Sequence, residues 1–175
     1  MASRLEVVPF DASRIEAVAN FNCGSEPWSV AATIWIAAPL EFNGALKSIR
    51  DHGTKVWLFY LGPLLVGFGS LGRTTSPWPA PTSDAKEVIG YIPQVAIDCD
   101  FHGQPPGSTE RFSTQIMSHI LAVAASEALR FVGLRVDADN AKAIKFYQRI
   151  GFSTLPGTVN LHGREFVRMI IRLSH

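Results

Sequence analysis

Leu134–Phe152, LRVDADNAKAIKFYQRIGF, constrains the fold more tightly than any other stretch of the chain. It reads as a strand, a short acidic turn, a helix and a hard stop. Leu134 and Val136 alternate with Arg135 and Asp137, the period of a strand. Asp137 or Asp139 can cap the helix, because a short carboxylate accepts the orphan amides of a first turn. Ala143, Phe146, Tyr147 and Ile150 then recur at i, i+3, i+4 and i+7, so one helical face is apolar. Lys142, Lys145, Gln148 and Arg149 take the other side. Gly151 is the expected left-handed C-cap, with Phe152 folding back on the last turn. Periodicity alone gives an amphipathic helix docked on a sheet.

The flanking sequence supplies the rest of a single domain of 175 residues. Arg4–Phe10 alternates as a first strand, and Asp11 or Ser13 caps a helix through Ile15, Val18 and Phe21. Val30–Ala38 is apolar throughout and fits a helix or a strand. Pro39 suits the first turn of a helix carrying Leu40, Ala45, Leu46 and Ile49 and ending at His52-Gly53. Lys55–Leu61 and Leu64–Leu71 form a hairpin about Gly62-Pro63. Arg73–Lys86 is a long Pro-rich loop. Glu87–Asp98 is a strand with Pro93 in its middle, where the missing amide marks a bulge. Thr109–Leu129 is a long helix and Phe131–Val136 a strand. Ser153–Pro156 and Glu165–Leu173 are final strands around a loop.

Composition excludes several classes. With 47% hydrophobic and 18% charged residues the chain is too apolar for disorder. A formal net charge of +1 argues against a dedicated nucleic-acid binder. Cys23 and Cys99 have neither disulfide-framework density nor metal-ligand spacing. No apolar run reaches the roughly 18 residues of a membrane span, and no signal-peptide pattern opens the chain. The expectation is a cytoplasmic protein with no metal and no membrane partner.

Asn140-Ala-Lys-Ala143-Ile144-Lys-Phe146-Tyr147-Gln-Arg-Ile-Gly151-Phe152 resembles the second half of the acyl-CoA site of the GNAT superfamily of N-acyltransferases. That pattern runs Asn, Ala-hydrophobic, aromatic-Tyr, Gly-Phe. The resemblance implies an α/β (α+β) fold with a mixed, mostly antiparallel central sheet. A splayed parallel strand pair and helices on both faces complete it. It also implies acetyl-CoA as co-substrate and acetyl transfer to a primary amine, on a small molecule or a peptide.

The same resemblance distributes roles along the chain. The pantetheine arm lies between splayed parallel strands, here Glu87–Asp98 and Phe131–Val136. A bulge near Pro93 frees backbone groups, and an amide of Gln94, Val95, Ala96 or Ile97 polarises the thioester carbonyl. The pyrophosphate sits at a helix N-terminus, where bare amides and the dipole favour an anion. Phe101-His102-Gly103-Gln104 looks like the family's lead-in to that loop, but Pro105 stands where a glycine is usual and has no amide to give. Two registers fit. In one, Gln104, Gly107 and Thr109 form a degenerate motif. In the other, which is favoured, PPGSTER is an insertion and Arg111, Phe112, Ser113 and Thr114 begin the anion-binding turn. Asn140, Ala143 and Phe146 complete the cofactor side.

Acyl transfer to an amine needs two proton movements. The amine must lose a proton before it attacks, and the leaving thiolate gains one from a positioned acid. Tyr147 matches the family's tyrosine for the second step. Glu87 is the first candidate for the base, with Tyr91, Asp98 and His102 beside it. The acceptor side is expected from Asn22–Ala38 and the Arg73–Lys86 loop, with Trp28, Trp35 and Trp78 as an aromatic wall.

Two alternatives stand beside this reading. Phe21-Asn22-Cys23-Gly24 and Phe101-His102-Gly103 resemble parts of a toxin-type subgroup that acetylates aminoacyl-tRNA, the one nucleic-acid partner in view. The departure at Pro105 leaves room for a non-catalytic acyl-CoA-binding module. Homodimers through sheet edges are common among the proteins the chain resembles.

Overall fold

The computed structural model describes residues 4–75, 87–103 and 110–174. Its contacts divide into two compact units, Met1–Gly72 with Gln94–Ile120, and Arg73–Pro93 with Leu121–His175.

The first unit is built on β1 (Glu6–Pro9), β2 (Lys55–Leu61), β3 (Leu64–Thr74) and β5 (Val95–Ile97). β1 pairs with β2, β2 with β3, and β3 with β5, all antiparallel. The register sets Trp57 opposite Gly69 and Phe59 opposite Gly67. That pairing of large and absent side chains makes room for α3 (Phe112–Ser126). A Cβ on Gly69 would come within 2.7 Å of Ile120 Cδ1, and one on Gly67 within 3.0 Å of Ile116 Cδ1. His119 of α3 meets the Trp57 and Phe59 rings edge-on at 5.0 and 5.5 Å. The opposite face presents Val56, Leu58 and Phe68, which bury against Val18, Phe21, Ala32, Ile36 and Ala45. Helices therefore cover both faces of these strands.

Several local expectations change. Asp11 is the N-cap, its Oδ1 accepting the Ser13 amide at 2.9 Å, but the segment it starts is a 3-10 helix ending at Val18. All of the ambiguous Val30–Ala38 run but Ala38 lies in α1 (Pro27–Ala37), with Pro27 in the first turn. Pro39 does not start a helix. Ala38 is held extended, as a residue before proline tends to be. Leu40 and Phe42 stay exposed, so nothing is gained by winding them. α2 (Ala45–His52) begins only after Gly44, where a Cβ would sit 2.4 Å from Ala38 Cβ.

The expected Thr109–Leu129 helix is α3, which stops at Ser126. Ala128 takes φ 57 and its amide bonds the Ala125 carbonyl, while the Leu129 amide bonds the Ala124 carbonyl. This is a Schellman stop with alanine where glycine is usual.

The second unit holds β4 (Ile89–Ile92), β6 (Phe131–Asp137), β7 (Ser153–Leu161) and β8 (Arg164–Arg172), together with α4 (Ala141–Arg149). β4 pairs with β6 in parallel, and β6 and β7 each pair antiparallel with β8. The fold is thus mixed and mostly antiparallel, with one parallel pair. Ile89, Phe131 and Ile170 form a small core with Leu155. The loop expected between the last strands is a two-residue turn, His162-Gly163, both at positive φ. Pro156 does not end β7. It lies in a bulge between Thr154 and Thr158 that the strand passes through.

The expected single strand Glu87–Asp98 is two strands. β4 stops at Ile92 and β5 starts at Val95, so Pro93 does more than bulge the chain. Each half has a different partner, β6 for one and β3 for the other.

Candidate active site

In the first unit the site residues gather at β5. Gln94, just before it, is gripped by one buried hydroxyl. Ser70 Oγ donates to the Gln94 carbonyl at 2.6 Å and accepts the Gln94 amide at 3.0 Å. Two residues past Ala96, the Asp98 amide bonds the Val66 carbonyl at 2.8 Å. Strand alternation then turns the Gln94, Ala96 and Asp98 amides toward β3 and those of Val95 and Ile97 away from it. Of the four amides expected as oxyanion donors, Gln94 and Ala96 are thereby excluded, because β3 takes them. Val95 and Ile97 remain.

The Ile97 carbonyl points the same way as its amide and meets His102 Nε2 at 3.2 Å. A carbonyl only accepts, so Nε2 is the donor, and in the neutral ring Nδ1 is the acceptor. Gly103 follows at φ 117. Asp98 is occupied, its Oδ1 accepting the Asp100 amide and its Oδ2 the Asn22 amide. With Cys99 and Asp100 it forms a cluster of metal-ligand type. Gln104 and Pro105 to Thr109 lie outside the described residues. Beyond them Arg111 stands just before α3, its carbonyl accepting the Thr114 and Gln115 amides. The Phe112 and Ser113 amides therefore head the helix without an intrahelical acceptor. Phe112 is buried against Phe101, with ring centroids 6.0 Å apart.

In the second unit α4 is fixed at both ends. Asn140, rather than Asp137 or Asp139, is its N-cap: Oδ1 accepts the Ala143 amide at 3.1 Å. Asp137 is used elsewhere, accepting the Asp139 amide and pairing with Arg164. At the other end the Gly151 amide bonds the Gln148 carbonyl and the Phe152 amide the Tyr147 carbonyl, a Schellman motif with Gly151 at φ 106. Phe152 packs on Tyr147 at 5.7 Å and Phe146 lies 5.3 Å from it. Ala143 and Phe146 are half-buried on the same face. Tyr147 is buried, and its hydroxyl has no hydrogen bond among the described residues. Burial pushes its phenol well above the ordinary tyrosine value, so it stays protonated.

Other expected residues have contacts of their own. Glu87 pairs with Arg130 at 3.2 Å and its side chain is only 17% exposed. Its carboxylate is committed to a guanidinium. The ion pair is what the structure shows of Glu87. Tyr91 lies under Arg135, and burial raises its phenol. Trp35 is half-buried and stacks on Phe68 at 5.8 Å, packed against the core. Trp28 is half-buried, and Trp78 lies outside the described residues. Phe21 and Cys23 are core residues. The Cys23 thiol bonds the Ser29 carbonyl at 3.0 Å, and burial raises its pKa, which disfavours a nucleophilic thiolate. A cavity of about 450 Å³ lined by Arg130, Arg172, Leu173 and Ser174 lies at the start of β6, the opposite end from α4. Sequence reading missed Ser70, whose role depends on strand register.

Residues 35–152 match the acetyltransferase (GNAT) family. The chain belongs to that family, and it is an acetyl-CoA-dependent N-acetyltransferase that transfers acetyl to an amine. Its fold is shared with a spermidine/spermine N-acetyltransferase, SpeG, from Vibrio cholerae, at 17% identity over 97% of this chain and 93% of that one, TM-score 0.62. A GCN5-related N-acetyltransferase from Rhodopseudomonas palustris gives 15% identity, 99% and 98% coverage, and TM-score 0.63. A GNAT family acetyltransferase from Elizabethkingia anophelis with acetyl-CoA bound gives 14% identity, 98% and 99% coverage, and TM-score 0.56. No curated protein matches the chain in sequence. Among the described residues no helix is long and apolar enough to cross a membrane.

Proposed function

We propose that residues 1–175 act as one acetyltransferase domain in which a primary amine attacks the acetyl-CoA thioester directly. The amine nitrogen forms the new C–N bond as the C–S bond breaks, and the CoA thiolate takes a proton from Tyr147. The oxyanion rests on the amide of Val95 or Ile97. The carrying observation is the β5–β3 pairing, whose alternation turns those two amides away from β3. The amides heading α3 at Phe112 and Ser113, with the Arg111 charge, are suited to the pyrophosphate. Asn140, Ala143 and Phe146 present the α4 side to the cofactor. His102 is the candidate base: the Ile97 carbonyl holds its ring and leaves Nδ1 to accept a proton, directly or through water.

Acetyl-CoA binding tests the foundation. Melting with and without the ligand is expected to show a rise in Tm that grows with concentration. No shift at millimolar acetyl-CoA would overturn the proposal. Free-thiol release over amines, peptides and aminoacyl-tRNAs then identifies the acceptor class. Transfer confined to aminoacyl-tRNA would move the protein to the toxin-type alternative.

A further inference from the structure

Asp98 follows β5, and both its backbone groups and both its carboxylate oxygens are engaged within the first unit. Its amide bonds the Val66 carbonyl of β3 at 2.8 Å, and its carbonyl accepts the Phe101 amide at 2.9 Å. Oδ1 accepts the Asp100 amide and Oδ2 the Asn22 amide, each at 3.1 Å. The Cys99 amide closes the junction on the Asn22 carbonyl at 2.8 Å. Asn22 is fixed in turn, its Oδ1 accepting the Gly24 amide at 2.9 Å. β3, the Asn22 segment and the 3-10 turn Cys99–Phe101 therefore meet at one residue.

The chain leaves β5 extended and reverses through that turn, so that the His102 ring reaches back to the Ile97 carbonyl, 3.2 Å from Nε2. A 3-10 turn is a weak element by itself, with poorer hydrogen-bond geometry than an α-helix. Here the His102 amide comes only within 3.5 Å of the Cys99 carbonyl. The amides that open a helical turn have no acceptor inside it. For Cys99 the Asn22 carbonyl supplies one, and for Asp100 the Asp98 Oδ1 does. Asp98 Oδ2 in turn holds the Asn22 backbone in place. Hydrogen bonds to a carboxylate are roughly twice as strong as neutral ones. Two oxygens of a single side chain thus set the direction of the turn, and with it the imidazole beyond.

We infer that Asp98 is a positioning residue for His102: its carboxylate builds the turn that returns the imidazole to the Ile97 carbonyl. Its bearing on catalysis rests on the reading of His102 as the base. Asp98 takes no proton in this role. Keeping Nε2 on Ile97 fixes the ring plane and leaves Nδ1 as the accepting atom. Without the carboxylate the ring is released to other rotamers, and a misplaced base loses the benefit of orientation.

Two measurements test this. The first reads the ring itself, through the 15N resonances of the histidine ring nitrogens, with His102 identified by its loss in His102→Gln. Wild type is expected to show the two neutral-ring nitrogens well separated, as one fixed tautomer requires, and Asp98→Ala to draw them together. Asp98→Ser, which keeps a cap for the Asp100 amide but lacks the second oxygen for Asn22, should fall between. The second measures thiol release with the primary amine that turns over fastest. His102→Gln is expected to lower kcat by about 100-fold. Asp98→Ala should lower it by about tenfold, with acetyl-CoA KM within about twofold, and should add less than about twofold in the His102→Gln protein, since residues acting through one another are not additive. Should Asp98→Ala melt too low to assay, Asp98→Ser carries both comparisons, and its matching wild type in both would overturn the inference. Ring nitrogens unmoved in Asp98→Ala would overturn it, as would the same tenfold loss repeated in the His102→Gln protein. Full kcat in Asp98→Ala beside an impaired His102→Gln would do so as well. Each of these leaves the base reading standing. His102→Gln within twofold of wild type would instead remove the base reading and with it the catalytic role of Asp98.

Discussion

Tyr147→Phe separates chemistry from architecture, because the structure gives the hydroxyl no structural work. The substitution keeps the ring contacts with Phe146 and Phe152 and both hydrogen bonds that close α4, which are backbone bonds. No side-chain hydrogen bond among the described residues is lost, so the stability change should stay below about 1 kcal/mol. A positioned general acid contributes about 10²–10⁴-fold. The expected fall in kcat is therefore on the order of 100-fold, or about 2.7 kcal/mol in the barrier, with acetyl-CoA KM unchanged. The assay is steady-state thiol release with acetyl-CoA and the best acceptor, alongside melting of both proteins. Burial holds the phenol protonated past its ordinary value of 10.0, so wild-type turnover should show no alkaline fall from this group below pH 10. The stability sign follows. The folded-state pKa is raised, so any contribution is complete below pH 10 and lost as pH climbs through the folded value. Turnover within twofold of wild type would refute the acid role. A large rise in acetyl-CoA KM at constant kcat would turn Tyr147 into a binding residue.

Three further outcomes follow from named contacts. Ala128→Gly should raise stability by about 1 kcal/mol in urea unfolding, since an exposed alanine now bears the left-handed strain at φ 57. Gly67→Ala should destabilise the protein and weaken acetyl-CoA binding, because the new Cβ would lie 2.5 Å from the Ala96 carbonyl oxygen and push β5 off β3; thermal shift with and without ligand reads both effects. His119 has its pKa lowered by burial between Trp57 and Phe59. The unfolded chain then binds the extra proton first, so stability should be full above pH 6.5 and decline as pH falls through the folded value; His119→Leu should flatten that part of a Tm-against-pH curve.

The legible parts of the fold were those where local signals agree. α4 has a cap, a period and a Gly-Phe stop within one short stretch, although the cap proved to be Asn140. The Gly62-Pro63 hairpin and the interruption at Pro93 are likewise local. α1 was not legible, since Ala32 and Ile36 are buried while Val30 and Ile34 on the same helix are exposed, leaving an apolar run without a contrasting face. The end of α3 was hidden because Ala128 does the work of a glycine. Candidate-site residues named for chemistry fared unevenly for the same reason. The neighbourhood of Tyr147 is set by sequence-local bonds, whereas the fate of Glu87 depended on Arg130, 43 positions away in the chain. The Ser70 grip exists only once strand register is known.

The Ser70 hydroxyl has a thermodynamic consequence for the interrupted strand. A gap in a ladder usually stands open because solvent fills it, and a ligand must first strip that water or unzip a neighbour. Here one side chain satisfies both backbone groups of Gln94 on the β3 side, so the interruption is closed there by the protein's own groups. For the ligand proposed to run along β5, the Gln94 groups are already satisfied on the β3 side and need no reorganisation. Removing the hydroxyl, by Ser70→Ala, would convert a preformed seat into one that each ligand must organise for itself.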